Sequence, residues 1–384
     1  MNALPDWLRR RALVSPEHLV VICGDDAWSF RELDARADAA ASRLRKLGVQ
    51  AGDRVALLAG NSAAFAQVVF GVARAGAVLV PLNLRLTREE IRWQLEDCEA
   101  ALLVTDREEW VDEALSPEHP HPSPLLLPGR TGEGTPLVAA RSVLLKDVAV
   151  APSNARVRRG DEASFDADAV QAIMYTSGTS GRPKGAMLTF GNFFWSAFGS
   201  MAQLGVHEDD RWLAVLPLFH VGGLSILFRS VINGTTAVIH ESFDPMRVNR
   251  AIDEEGVTLI SAVSTMLLRM LDARGDRPFA PNLRCVLLGG GPVPQELIDK
   301  GLKLNIPIAQ TYGLTETSSQ ATTLRLSEAV TRAGSAGKPL LPTEIRIERE
   351  DGSFCEPGEP GELVVRGATV SPGYWRRPDA TAAA

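Results

Sequence analysis

Cysteine is scarce in this sequence. The four thiols, Cys23, Cys98, Cys285 and Cys355, are spread over 384 residues, and no two stand close enough to form a CxxC pair. A chain this long can bury a large core without covalent staples, so reduced thiols in a cytoplasmic protein are expected rather than a disulfide framework. A long apolar run is also missing. The most membrane-like stretch, residues 64–82, contains Gln67, Arg74, two glycines and Pro81, and it fits a buried helix followed by a strand better than a membrane span. The opening residues, MNALPDWLRRRALVSPEH, lack the apolar centre of a secretory signal. Positive charge is in deficit. Forty Lys and Arg against 47 Asp and Glu leave a net charge of −7, which argues against a generally basic nucleic-acid binder and a polybasic membrane anchor. What remains is 45% apolar and 23% charged, with a mean hydropathy of zero. That is the balance of a soluble globular enzyme.

At roughly 150 residues per domain, the length suggests two or three units. Helix and strand signals alternate along the first third. Ser29 and Glu32 form a capping-box pair ahead of a helix reaching about Leu47, with Gly48 as its stop. Residues 54–60 read as a buried strand, Asn61 or Ser62 as the cap of the next helix, and Gly76 as its end. Residues 77–81 are another apolar run, Thr87 and Glu90 repeat the capping box, and residues 101–105 close the series. Continuous apolar strands in strand–helix–strand order argue for a parallel sheet covered on both faces. Residues 106–168 break the rhythm and read as a connecting region with one or two strands. His119 and His121 make an HxH pair there with no third ligand nearby, so a solvated loop is expected. The alternation resumes with strands at 172–175, 211–217, 236–240, 258–263 and 284–288, and helices at 190–204, 221–232, 245–255, 265–273 and 294–302. The tail changes class: EIRIER at 344–349 and ELVVR at 362–366 flank an Asp351-Gly352 hairpin signal. The expected fold is α/β, two packed doubly wound sheets with helices, plus a small C-terminal antiparallel β unit.

Chemistry concentrates in a few segments. Residues 175–185 read YTSGTSGRPKG. Glycines let a backbone approach an anion and aim N–H groups at it. Thr176, Ser177, Thr179 and Ser180 add hydroxyl donors, and Lys184 adds a point charge. A triphosphate is the natural ligand, although the spacing lacks the GK[ST] ending of a Walker A loop. The alternative is a flexible polar turn. Residues 216–223 (LPLFHVGG) put His220 directly after an apolar strand, and 288–294 (LGGGPVP) form a second glycine-rich turn. Residues 310–317 (QTYGLTET) combine an aromatic, a glycine and a carboxylate. A tyrosine ring can stack on a nucleobase, and a glutamate can hold magnesium on phosphates. Each is weak alone; a lone histidine such as His220 is most often a satisfied core histidine.

Together and in this order, these segments resemble the acyl-adenylate-forming superfamily: acyl-CoA synthetases, luciferases and the adenylation domains of peptide synthetases. The resemblance extends to GKP at 337–339 and GYW at 373–375. It implies a two-step reaction. A carboxylate attacks the α-phosphate of ATP to give acyl-AMP and pyrophosphate, and a thiol, usually of CoA, then displaces AMP. It further implies that Thr176, Ser177, Gly178, Thr179, Ser180, Gly181 and Lys184 bind the pyrophosphate portion of ATP. Gly289, Gly290, Gly291, Tyr312 and Gly313 would surround adenine, and Thr315 would contact the α-phosphate. Glu316, with Thr176, would support magnesium, and His220 would lie beside the reacting carboxylate. On this basis residues 1–168 are expected to be a first α/β subdomain with its connecting region, 169–330 a second with the ATP and acyl sites, and 331–384 a small β-barrel-like unit. In the superfamily an Asp motif, a hinge and a small mobile domain with a catalytic lysine follow. The chain stops at RRPDATAAA, so that mobile domain is expected to lie outside it, and these residues alone are expected to be severely impaired in CoA ligation.

Four segments are similar to the o-succinylbenzoate–CoA ligase branch of menaquinone biosynthesis rather than to fatty-acid ligases: LPLFHVGGLSILFRSVINGTT, VTLISAVSTMLLRML, LLGGGPVPQELI and IPIAQTYGLTETSSQ. The opening PDWLRRRALVSPEH is similar as well. Such a diacid would want a cation in an otherwise apolar pocket. Arg229 is the candidate, the alternative being that it lies off the apolar helix face and reaches solvent. Arg269 is a weaker candidate and more readily structural. Ser264 and Thr265 could line the pocket, although residues of this type at a strand-to-helix junction are usually caps. Two other functions stay open: a fatty or aryl acyl-CoA synthetase, and a nucleotide-binding module without turnover. The expected partners are small molecules (a carboxylic acid, ATP and CoA) with no nucleic acid and no membrane span, and a homo-oligomer is compatible with the sequence.

Overall fold

Local signals start and stop the helices. In the computed structural model, which describes residues 3–111, 141–152, 164–176, 182–329, 331–332 and 334–384, Ser29 caps the helix Phe30–Lys46. The Ser29 N–H donates to Glu32 Oε2 at 2.8 Å, and Glu32 N–H donates to Ser29 Oγ at 3.3 Å. Thr87 and Glu90 repeat the exchange ahead of Arg88–Asp97. Each cap is worth about 1 kcal/mol. Ser62, not Asn61, caps Ala63–Ala75, and Gly76 ends that helix at φ +75°, where a side chain would be strained. The HxH pair His119 and His121 lies outside the described residues.

Two sheets form the body. The six-stranded sheet runs, in spatial order, Lys184–Thr189, Val170–Thr176, Val78–Pro81, Arg54–Leu58, Ala100–Thr105 and Arg141–Leu144. Its strands are parallel except for the edge strand Lys184–Thr189, which forms a hairpin with Val170–Thr176. The nine-stranded sheet runs Lys338–Pro339, Thr322–Thr323, Ile308–Tyr312, Cys285–Leu288, Leu259–Ala262, Arg211–Ala214, Thr236–Ile239, Leu19–Cys23 and Asp26–Ser29. Its six central strands are parallel and its edges antiparallel. Each sheet takes strands from both sides of residue 168. The tail strands Thr343–Glu348 and Glu362–Gly367 pair antiparallel, as the alternation predicts. Asp351-Gly352 lies in a tight turn closed by Gly352 N–H on Arg349 O, and the partner strand begins only at Glu362. The expected fold class is thus the observed one.

Period-two alternation explains why the sheets pack on each other. Trp212, Ala214, Ala237, Leu259, Cys285 and Leu287 of one sheet, with Val55, Leu57, Leu79 and Val104 of the other, belong to one core that includes the helices between the sheets. Their neighbours Leu213, Val238, Ile260, Val286 and Leu288 face a second core under the outer helices, and Ala56, Leu58, Val80 and Leu103 face a third. Successive residues point to opposite faces, so strands apolar at every position are covered twice. Each fully buried large apolar side chain contributes about 1.5–3 kcal/mol.

The apolar stretch of residues 64–82 carries Arg74 for a reason now visible. Its guanidinium reaches Asp6 at 2.8 Å, Asp34 at 2.5 Å and Asp38 at 2.9 Å. Arg9 adds a second cation on Asp34 and Asp38. The cluster joins the helix Trp7–Val14 to Phe30–Lys46 and Ala63–Ala75. Burial alone would lower the Arg74 pKa, but the charges of Asp6, Asp34 and Asp38 raise it above its ordinary value.

Candidate active site

The motif residues lie where parallel strands end, the edge of an open α/β sheet at which ligands bind. Thr176 is the last residue of Val170–Thr176 and Lys184 the first of Lys184–Thr189, and the two are register partners across the hairpin. Ser177, Gly178, Thr179, Ser180 and Gly181, which connect them, lie outside the described residues. The hairpin therefore fixes both ends of the glycine-rich loop opposite each other.

Glu316 comes to the same place from 140 residues away. It sits in the short turn Thr315–Thr317 after the strand Ile308–Tyr312. Tyr374 OH donates to Glu316 Oε1 at 2.8 Å, and the Thr176 hydroxyl lies 3.5 Å from the same oxygen and 3.4 Å from Lys184 O, one of which takes its proton. Lys184 Nζ stands 5.2 Å from the centre of the Tyr374 ring. Among the described residues Glu316 has no basic partner within ion-pair distance and its Oε2 has no hydrogen bond. A half-buried carboxylate with only hydroxyl partners can still take a hard cation.

The turn itself is tightly specified. A Cβ on Gly313 would lie 1.4 Å from Ser319 O, so no other residue fits. Thr317 Oγ1 accepts from Leu314 N–H at 2.8 Å. Ser318 and Ser319 hold φ of +54° and +94°, costly for residues with a side chain. Ser196 of the helix Phe190–Leu204 anchors this strained link by donating to Ser318 O at 2.6 Å. Burial, with Glu362 and Glu316 behind it, raises the Tyr312 phenol pKa. Gly289, Gly290 and Gly291 follow Cys285–Leu288, the strand next to Ile308–Tyr312, so the two turns adjoin. Ser264, the first residue of the helix Ser264–Arg274 that follows the neighbouring strand Leu259–Ala262, donates to Pro292 O at 3.3 Å. It is not a cap, because Val263 holds that position. Thr265 beside it is exposed.

His220 is the N-cap of the helix Val221–Asn233, and its side chain makes no capping bond. His220 is exposed as a residue, and the protein packed around its ring, with a smaller contribution from the Arg85 charge, lowers its pKa. The turn before it is stitched by Asn61, which the sequence suggests as a helix cap. Asn61 is instead 7% exposed; its Nδ2 donates to Leu216 O and His240 O, and its Oδ1 accepts from Leu218 N–H at 2.8 Å. One side chain of the six-stranded sheet's first turn thereby positions the histidine-bearing turn of the other sheet.

Arg229, nine residues beyond His220 on the same helix, does not reach solvent. It is 1% exposed. The guanidinium carbon is 5.3 Å from the Trp212 ring centre, and Nη2 donates to Ser196 Oγ at 3.4 Å. Nε and Nη1 have no partner among the described residues, and no carboxylate pairs with the group. Burial pushes its pKa down to about 9, which still leaves it charged at neutral pH. Ser200 Oγ, Ser318 Oγ and Gln310 Nε2 are further buried polar atoms without partners among the described residues. Buried polar atoms without partners call for water or a ligand. Arg269, by contrast, is exposed and lies over the Phe243 ring. The groove lined by His18, Asp209, Arg211 and Glu255 opens at the N-terminal ends of the strands, the edge opposite these motifs.

Tyr374, Asn61 and Ser196 are the site residues that residue-by-residue reasoning misses. GYW at 373–375 is visible as a motif, but nothing in its spacing says that it meets Glu316.

Comparison with known proteins agrees with this geometry. Residues 8–375 match the family of AMP-binding enzymes. The chain belongs to that family. It is 41% identical over 384 residues to 2-succinylbenzoate–CoA ligase of Geobacillus kaustophilus (strain HTA426), covering all of this chain and 73% of the relative. The o-succinylbenzoate CoA synthetase of Bacillus subtilis, solved in complex with the acyl-adenylate intermediate OSB-AMP, superposes with a TM-score of 0.86 at 37% identity, covering 100% of this chain and 73% of that one. The same Bacillus subtilis enzyme, solved with ATP and magnesium ion, gives 0.86 at 38% identity over 99% of this chain and 74% of that one. Among the described residues no helix is long and apolar enough to cross a membrane.

Proposed function

We propose that this chain carries the ATP- and acid-binding site of a 2-succinylbenzoate–CoA ligase of menaquinone biosynthesis. A carboxylate oxygen of the acid attacks the α-phosphorus of ATP, and the bond to pyrophosphate breaks. The sulfur of CoA then attacks the acyl carbonyl and AMP leaves. Such transfers need alignment and charge neutralisation more than covalent help.

The family resemblance, with the positions of the described residues Thr176, Lys184, Tyr312, Glu316 and His220, supports these roles. Lys184 and Thr176, with Ser177, Gly178, Thr179, Ser180 and Gly181, hold the outer phosphates. Gly289, Gly290, Gly291, Tyr312 and Gly313 enclose adenine, and Thr315 donates to the α-phosphate. Glu316, without a basic partner among the described residues, would hold magnesium with Thr176 beside it, and the metal when bound would draw charge from the phosphates. His220, its pKa lowered, stays neutral beside the reacting carboxylate and can donate one N–H without trapping it as an ion pair. Ser264 and Thr265 line the acid pocket. The four free cysteines support a cytoplasmic location.

One observation carries the choice of a diacid: Arg229 is buried, charged and without an anionic partner among the described residues. A fatty acid would leave it so, at the cost that attends any unpaired buried ion. The second carboxylate of 2-succinylbenzoate completes it. Pyrophosphate release with ATP, magnesium and a panel of acids tests the proposal. The aromatic diacid should exceed fatty and monocarboxylic aryl acids in kcat/KM by at least about tenfold, the worth of one charge-assisted bond. Equal use of a fatty acid would overturn it.

A further inference from the structure

The segment Ser371–Arg377 docks against the outer edge of the six-stranded sheet, on the strand that leaves the glycine-rich loop. Met187 N–H donates to Gly373 O at 2.9 Å, and Trp375 N–H donates to Gly185 O at 2.8 Å. Between them Tyr374 forms an isolated antiparallel bridge with Ala186. Ser371 Oγ donates to Met187 O at 2.7 Å, Trp375 Nε1 donates to Asp97 O at 3.2 Å, and Arg377 pairs with Asp97. Ser371 N–H also donates to the main-chain oxygen of Glu316 at 2.7 Å. The segment thus fixes the register of Tyr374 and the backbone of Glu316 together.

Tyr374 stands between the two charges of the site. Its hydroxyl donates to Glu316 Oε1, and its ring face receives the Lys184 ammonium. No direct Lys184–Glu316 pair forms. The juxtaposition matters because such a pair would neutralise at once the cation meant for phosphate and the carboxylate meant for metal. Tyr374 OH donates to Oε1, the Thr176 hydroxyl lies within reach of both that oxygen and Lys184 O, and Oε2 has no partner among the described residues.

We infer that Tyr374 is a positioning residue that pins Glu316 through Oε1, leaving Oε2 for magnesium, and holds Lys184 apart from that carboxylate. The inference rests on the nucleotide site proposed above. Tyr374→Phe keeps the ring and loses the hydroxyl. Tyr374→Ala loses both, and lets Lys184 collapse onto Glu316.

Calorimetric titration of the full chain with ATP, with magnesium and again with the metal chelated, separates the two roles. Tyr374→Phe should raise the magnesium concentration for half-maximal tightening of ATP about tenfold, the loss expected for a hydrogen bond to a charged group. Its metal-free ATP affinity should stay within about twofold, because the ring still spaces Lys184. Tyr374→Ala should weaken ATP in both conditions. In turnover, KM for the acid should be unchanged in Tyr374→Phe. An unaltered magnesium dependence in Tyr374→Phe overturns the inference, and so does an equal loss with and without metal, which is the signature of a merely structural role. If the unaltered protein fails to bind ATP in either condition, the nucleotide site itself falls, and this inference with it.

Discussion

Two buried arginines on helices between the sheets make the useful contrast. Arg74 is surrounded by Asp6, Asp34 and Asp38. Arg229 is more deeply buried and has, among the described residues, a hydroxyl, an indole face and no carboxylate. A buried charge is costly unless it is paired. Where the protein supplies the partner, as at Arg74, the ion is architecture and ties three helices. Where the described residues supply none, as at Arg229, the partner proposed above is a ligand. His240 is a third case. It is 3% exposed, its Nδ1 has no partner among the described residues, and burial with the charges of Arg247 and Arg250 lowers its pKa to about 4. It escapes the cost by shedding its proton.

The largest expected effect breaks the first case. Arg74→Ala leaves Asp6 and Asp34 buried against one remaining cation, Arg9, and should destabilise the fold by about 3–5 kcal/mol in urea unfolding. A loss under about 1 kcal/mol would mean that the cluster is not the tie described here.

His240 gives a smaller effect with a definite sign. Its folded pKa lies below the unfolded value, so the unfolded chain takes up a proton first as the pH falls. The stabilisation is complete above about 6.5 and is lost between 6.5 and about 4. Arg247 and Arg250, which carry part of the shift, are exposed and screened, so the loss should be about 1–2 kcal/mol. His240→Gln should flatten stability against pH over that window relative to the unaltered chain. An identical pH profile would show that the ring is solvated.

Much of this was legible in the sequence, and the physical reason separates the rest. The Ser29–Glu32 and Thr87–Glu90 caps, the left-handed Gly76 and the doubly apolar strands depend on residues a few positions apart, so local pattern reveals them. Which sheet a strand joins does not: Leu19–Cys23 pairs with Thr236–Ile239, far along the chain. Asn61 carries the composition of a cap but the geometry of a bridge between sheets. Glu316, Lys184 and His220 could be singled out by type and motif. That Tyr374 and Ser196 serve the same site depends on contacts made across more than fifty residues, Tyr374 OH to Glu316 and Ser196 Oγ to Ser318 O. No spacing rule encodes those contacts. Arg229 could be named on its helix, but only the tertiary structure decides between solvent and burial.

The central claim is that Arg229 is held unpaired for a substrate carboxylate rather than for the fold. Replacing it by methionine, which has similar length and no charge, tests this with two readings on one variant. Because removing an unpaired buried ion relieves a cost, urea unfolding should be unchanged within about 1 kcal/mol or shifted toward greater stability. In pyrophosphate release, KM for 2-succinylbenzoate should rise about ten- to hundredfold while KM for ATP stays nearly constant. A variant that loses several kcal/mol of stability yet keeps its KM for the diacid would contradict the account.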